Sequence, residues 1–407
     1  MPLTLIRATL GAALLTSVVG ACNGAVNNAN DPTSSDSATA AADPQTSTAD
    51  PASESDDAWP FVATAFGEFN QPWAMSFLPD GRLLITQKTG EVKLFDPQSK
   101  YSGDVTGVPE VDHGGQGGLG DVVLHPQFSE NNIVYLSYAE AGEGDLRGGA
   151  VARGKLVLDD QGGGALTDMQ VIWRQVPKVT GRGHYAHRLV FSPDGEHLFI
   201  SSGDRQKFDP AQDMQSNLGK IVRLYDDGGI PGDNPFANKS ANLGGIAAQI
   251  WTLGHRNPLG LAFDAQGQLW NHEMGPKGGD EVNLIVRAEN YGYPIVSDGD
   301  HYDGTPIPDH DTRPEFYPPA TTWTPVISPA GLVIYSGTMF PDWKGRMLIG
   351  GLSSQALVVV TLEGKRAYES ARYDMSARIR EIEQGPDGAV WLLEDGNGGR
   401  LLKLAAR

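Results

Sequence analysis

The chain is expected to be all-β, a six-bladed β-propeller built from four-stranded blades. Three observations predict this: a recurring turn-and-strand unit, 51 glycines among 407 residues, and no long run with the 3.6-residue apolar spacing of amphipathic helices. The recurring unit is a short turn containing Pro, Asp or Gly, followed by β-type residues. It is seen in FLPDGRLLITQ (77–87), LHPQFSENNIVYLSY (124–138) and FSPDGEHLFISSGD (191–204). It returns in FDAQGQLWNHEMG (263–275), FPDWKGRMLIGG (340–351) and QGPDGAVWLLED (384–395). Asp-Gly supplies the positive-φ positions of a tight hairpin turn, and the flanking residues suit strands. Six units in roughly 350 residues give about 58 residues each, within the range of blade repeats. Each blade of a ring buries its faces against two neighbours, which lets one domain reach this size. The competing architecture is a β-sandwich followed by a second all-β domain. The long interval from 275 to 340 predicts loop insertions on one face, where binding residues gather.

The N-terminus reads differently. Residues 1–22, MPLTLIRATLGAALLTSVVGAC, have one arginine, then an apolar run of signal-peptide length, too short for a permanent membrane span. Val19-Gly20-Ala21-Cys22 resembles a bacterial lipobox, in which cleavage leaves Cys22 as a lipid-bearing N-terminus; a plain secretory signal is the alternative. Cys22 is the only cysteine, so no disulfide framework or Cys-rich zinc site exists. Residues 23–57 hold no Lys, Arg or aromatic residue and predict a disordered linker. The expected domains are thus a lipoprotein-type signal peptide (1–22), the linker (23–57) and the propeller (58–407). This organisation predicts a cell-envelope lipoprotein, periplasmic or at the outer membrane, anchored through Cys22 rather than spanning the membrane. A net charge of −19 argues against nucleic acid as a partner.

Candidate chemistry concentrates in a few segments. GRGHYAHRL (181–189) places His184 and His187 between glycines and an apolar run that ends in SSGDR (201–205). A metal site, a catalytic base and an ordinary hairpin are the possible readings. The metal reading is poor, because no HExxH pattern or third ligand accompanies the two histidines. With GGQGGLGDVVLHPQF (114–128) and WTLGHRNPLGLAFDAQGQLWNHEMGPKGGDEVNLIVRAENYGYP (251–294), these residues resemble the glucose/sorbosone dehydrogenase family. Members are soluble or lipid-anchored six-bladed propellers that oxidise aldoses with pyrroloquinoline quinone (PQQ) and Ca²⁺.

The resemblance implies specific roles. His184 stands where the family has its catalytic base, and Asp204 resembles the carboxylate that orients that imidazole. His187 and Ala186 occupy positions where relatives commonly have small residues. Arg256 and Asn257 resemble the pair that contacts the quinone oxygens; for Arg256 the alternative is a structural tie between blades. Gln116 resembles a cofactor-contacting amide, Trp323 a stacking residue, and Arg378 with Arg380 the pair that neutralises cofactor carboxylates. The two arginines alternate on a predicted strand, so they face one way, which is disfavoured without an anion. Gly275 and Pro276 resemble the loop whose carbonyls hold Ca²⁺ against PQQ, and Glu281 with the Tyr291 carbonyl resemble a second, structural Ca²⁺ site. A lysine that contacts PQQ in some members is replaced here by Ser353. DGDHYDG (298–304) reads as a polar surface loop.

The leading expectation is a PQQ- and Ca²⁺-dependent aldose dehydrogenase that oxidises a sugar C1 hydroxyl and passes electrons to an external acceptor. The alternatives are a non-catalytic ligand-binding propeller and a Ca²⁺-dependent lactone hydrolase with acids at the ring axis.

Overall fold

Twenty-four strands are arranged around a common centre in a computed structural model that describes residues 59–238 and 245–407. The expected signal peptide and linker lie outside the described residues. After β1 (Phe61–Asn70) come β2 (Pro72–Phe77), β3 (Leu83–Gln87), β4 (Glu91–Asp96) and β5 (Tyr101–Thr106), an antiparallel set. The second set is β6 (Leu119–Leu124), β7 (Ile133–Ala141), β8 (Arg147–Leu158) and β9 (Gly164–Arg174). A two-residue parallel pairing, Val105 with Gly164 and Thr106 with Ala165, joins these two sets into one eight-stranded sheet.

Separate four-stranded sheets follow. One holds β10 (Ala186–Phe191), β11 (His197–Ser202), β12 (Lys220–Tyr225) and β13 (Ile250–Leu253). The next holds β14 (Pro258–Phe263), β15 (Leu269–Glu273), β16 (Asp280–Ile285) and β17 (Thr321–Trp323). A further one holds β18 (Pro329–Ile334), β19 (Met347–Gly351), β20 (Ala356–Glu363) and β21 (Arg366–Asp374). The last combines β22 (Ile379–Gln384), β23 (Val390–Glu394) and β24 (Asn397–Ala406) with β1, so the first strand of the chain closes the last sheet. The opening strands touch in a cycle: β2 meets β6, then β10, β14, β18 and β22, which returns to β2. The architecture is all-β, with four-stranded sheets arranged as in a β-propeller.

The recurring units of the sequence fall at one topological position, the link from the first to the second strand of each sheet. Gly81, Gly195, Gly267 and Gly388 all take positive φ there, as the turns require. In the second set a single helical turn, α1 (Phe128–Asn131), replaces the tight turn. The second strands LLITQ, HLFISS, LWNHE, MLIGG and VWLLE are buried along their whole length. Their faces are covered by neighbouring sheets, so burial does not alternate along them, although several also carry buried polar residues such as Gln87, Asn271 and Glu273. The outlying β21 alternates because one of its faces meets water.

The centre is polar. Arg188 on β10 donates from Nε to the Leu259 carbonyl of β14 (2.8 Å) and from Nη1 to Asp121 of β6 (3.2 Å). Its Nη2 pairs with Glu381 of β22, and the guanidinium lies 4.2 Å from the ring centre of Trp73 on β2. One buried side chain therefore ties five opening strands together. Close packing there needs glycine: a Cβ on Gly331 would stand 2.6 Å from the Glu381 backbone.

Removing this cation strands two buried carboxylates, which costs about 3–5 kcal/mol. Arg188→Met is therefore expected to lower the urea midpoint of unfolding strongly. A midpoint equal to wild type shows that the axis does not depend on Arg188.

Candidate active site

In these antiparallel sheets, first strands begin, second strands end and third strands begin at the same end. That end lies opposite the recurring turns. His184 precedes β10, Asp204 follows β11, Arg256 and Asn257 precede β14, Gly275 and Pro276 follow β15, and Arg378 precedes β22. The fold brings these segments to one face of the molecule.

His184 sits in a strained loop: His184, Ala186 and His187 all take φ between 48° and 57° without being glycine. Arg205 compensates by donating to the carbonyls of Gly181, Gly183 and Arg147 while its guanidinium packs 3.7 Å from the Tyr185 ring centre. The His184 amide donates to Gln116 Oε1 at 2.8 Å, so the expected cofactor amide acts here on the base loop. His184 Nδ1 lies 2.6 Å from Oδ1 of the fully buried Asp204. With Nδ1–H held by that carboxylate, Nε2 is the basic nitrogen. Burial and the positive charge of Arg256 lower the His184 pKa, against the opposing pull of Asp204, so the imidazole is neutral at pH 7.

Arg256 adjoins this dyad. Its carbonyl accepts from the Asp204 amide (2.8 Å), and Gly203 permits close approach: a Cβ there would meet the His184 carbonyl at 2.0 Å and Asn257 Oδ1 at 3.2 Å. The guanidinium donates to the Met274 carbonyl (2.9 Å) and the Tyr302 hydroxyl (3.2 Å). Beneath it, Glu273 accepts from the Arg256 amide (2.6 Å) and His255 Nδ1 (2.8 Å). Arg256 Nε and Asn257 Oδ1 are buried without a protein partner among the described residues. The Arg256 Nε–H suits a ligand oxygen, whereas the Asn257 oxygen calls for a donor.

A basic cluster stands at the same end. Arg378 and Arg380 donate through Nε to opposite oxygens of Asp395, each at 2.9 Å. This anion, supplied by the protein itself, partly answers the expectation that the pair needs a ligand. Ser353 is exposed, and its hydroxyl donates to the Val326 carbonyl at 3.3 Å.

Other expected residues are placed differently. Trp323 is buried in an apolar cluster, and its Nε1–H donates to Glu369 at 2.7 Å, so the indole packs between sheets. Gly275 and Pro276 are buried; the Gly275 amide donates to Asp280, and a Cβ on Gly275 would stand 2.2 and 2.3 Å from the Gly278 and Gly279 carbonyl oxygens, so the turn is closed tightly on itself. Backbone carbonyls are the hard donors that Ca²⁺ takes. Glu281 and Tyr291 line a cavity of about 10 Å³ with Glu273, Gly275 and Ser297. Burial and the nearby Glu273 push the Glu281 pKa up to about 8. The Tyr291 carbonyl, however, accepts from His310 Nε2 at 3.1 Å. A histidine thus takes one of the two lone pairs of the carbonyl that a second Ca²⁺ would use. The axial acids that a lactone hydrolase would need, Asp121 and Glu381, are engaged by Arg188.

The sequence from residue 69 to 403 matches the family described as glucose/sorbosone dehydrogenase. The chain belongs to this family. Among curated relatives, aldose sugar dehydrogenase YliI of Escherichia coli is 38% identical over 351 residues, covering 84% of this chain and 91% of that protein. Quinoprotein glucose dehydrogenase B of Acinetobacter calcoaceticus is 27% identical over 417 residues, covering 81% of this chain and 84% of that one. The crystal structure of the soluble E. coli aldose sugar dehydrogenase in its apo form superposes with a TM-score of 0.78 at 36% identity, covering 85% of this chain and all of that one. These relatives are sugar-oxidising enzymes, and this member of the family is an oxidoreductase.

Family resemblance did not point to Tyr302, Glu273 or His255. Glu273 adjoins the GP loop, which was a usable signal; Tyr302 lies in the segment read as a plain polar loop.

Burial holds the His187 and His272 imidazoles neutral down to about pH 3. Burial also opposes the charge on His310, but Asp298, Glu281 and the Tyr291 carbonyl outweigh it and raise that pKa to about 9. In an NMR titration, His187 and His272 should therefore keep neutral-form shifts to below pH 4, while His310 stays charged to about pH 9. Ordinary titration of all three near pH 6.5 contradicts the geometry described.

Proposed function

We propose that this protein oxidises aldose sugars at the C1 hydroxyl to the lactone, with PQQ and Ca²⁺, on a six-bladed ring, and delivers the electrons to an external acceptor. The observation that carries this reading is the His184–Asp204 dyad at 2.6 Å beside a buried arginine with an unpartnered Nε. It is supported by the likeness to an aldose sugar dehydrogenase and to a quinoprotein glucose dehydrogenase.

When bound, PQQ supplies the two-electron acceptor for the C1 hydride. The chain's own residues do the rest. His184 Nε2 takes the proton of the C1 hydroxyl, and Asp204 holds the tautomer and supports the imidazolium. Arg256 and Asn257 present a fixed cation and an amide to quinone oxygens. Arg378 and Arg380 would hold the cofactor carboxylates, and the loop of Gly275 and Pro276 would offer carbonyls to Ca²⁺.

With PQQ and Ca²⁺ added, the purified protein is expected to reduce a dye acceptor with one or more aldoses. His184→Ala should lower kcat/KM by about 10²–10⁴-fold, the usual contribution of a general base. Equal background rates for both proteins across a broad aldose panel remove the proposal.

A further inference from the structure

The mouth of the site holds more positive charge than its protein partners balance. Lys88 follows β3, at the end of the fold that carries His184 and Arg378. Its Nζ donates to the Gly115 carbonyl at 2.9 Å, and among the described residues no carboxylate forms an ion pair with it. Burial lowers its pKa, and the charges of Arg380 and Arg378 lower it further, against Asp395. The geometry agrees: Gln71, whose carbonyl accepts from the Lys88 amide, donates its own amide to the carbonyl of Gly396 at 2.9 Å, the residue after Asp395, so Lys88 stands beside the Arg378–Asp395–Arg380 cluster. Asp395 already accepts from Arg378 and from Arg380, the latter also through Nη2 at 2.8 Å. Two guanidinium groups thus share one carboxylate and Lys88 adds a third cation with no carboxylate paired to it, a clustering that costs free energy unless an anion joins them.

The backbone of Lys88 is fixed into the site as well. Its carbonyl accepts from the Leu119 amide (3.0 Å), and its amide donates to the Gln71 carbonyl (3.0 Å). Gly118 packs against that carbonyl so closely that a Cβ would stand 2.2 Å away. Gly115, which Lys88 holds, precedes Gln116, whose side chain anchors the His184 amide. The ammonium spends one of its three protons on Gly115.

We propose that Lys88 is a third cofactor-carboxylate cation, acting with Arg378 and Arg380 from the neighbouring strand set and replacing the ammonium that Ser353 does not provide. This rests on the PQQ reading of the site. An ammonium suits the role because it is a compact point charge on a flexible stem, able to follow a carboxylate that the two planar guanidinium groups leave open. The competing role is purely structural: Lys88 props up the Gly115–Gln116 turn and touches no ligand.

Isothermal titration of PQQ into the purified protein at saturating Ca²⁺ separates these roles. Lys88→Met removes both the charge and the bond to Gly115, Lys88→Gln keeps an amide donor for Gly115 without the charge, and Lys88→Arg keeps the charge. Thermal unfolding of each variant checks that it is folded. The expected result is PQQ affinity at least about tenfold weaker for Lys88→Met and Lys88→Gln, with near wild-type affinity for Lys88→Arg. Wild-type affinity in Lys88→Gln overturns the inference, and if Lys88→Met alone is weak the residue is a structural prop. Should Lys88→Met fail to fold, Lys88→Gln against Lys88→Arg decides alone. If wild-type protein itself binds no PQQ, the cofactor reading fails and the inference falls with it.

Discussion

The opening strands from whose ends the site's loops emerge are tied together by a charge buried at their common centre. Arg188 reaches from β10 to β6, β14 and β22 and stacks on β2, so that strands far apart in sequence share one guanidinium. Asp121 is itself fixed by the amides of Val122 and Leu189 at 3.0 and 2.8 Å. Such a pair adds little net energy over a well-packed apolar centre, but it has only one good geometry. It thereby sets the register of the opening strands, and the loops that carry the chemistry emerge from their ends.

Proximity in sequence makes that constraint consequential. His184 lies four residues before Arg188, and the strained stretch through His187 leads directly into it. The axis fixes one end of the loop, and Arg205 fixes the other through three carbonyls. Between them the imidazole has little freedom, which is what a proton acceptor requires if it is to meet a substrate hydroxyl at hydrogen-bond distance. Arg256 is likewise held from below by Glu273 through its own amide, leaving Nε unspent. The electrostatics then follow from burial: a neutral imidazole beside a permanent cation, with a carboxylate behind it.

The parts readable in the sequence were those set by local chemistry. Asp-Gly turns announce hairpins because only a few residues tolerate those dihedrals, so the repeat was visible and landed at one position in every sheet. His184, Asp204 and Arg256 could be named because they lie in dense glycine-flanked segments. The structural tie considered for Arg256 belongs instead to Arg188, whose partners are 67 and 193 residues away, beyond any local pattern. Trp323 looked like a stacking ring, but its fate depends on Glu369 of the next sheet. Tyr302 and His310 come from the long insertion between β16 and β17, where no periodicity marks which side chain turns inward. Asp395 was hidden for a related reason: its pairing with Arg378 and Arg380 is set by the β22–β23 register.

The central claim is that a neutral His184 and a buried Arg256 face the same small molecule across one opening. A crystal structure of the protein grown with PQQ, Ca²⁺ and an aldose tests it most directly. The account predicts cofactor density between these two residues, with its carboxylates toward Arg378 and Arg380 and the sugar C1 oxygen within hydrogen-bond distance of His184 Nε2. Cofactor bound in another cavity, or a sugar seated away from His184, contradicts it.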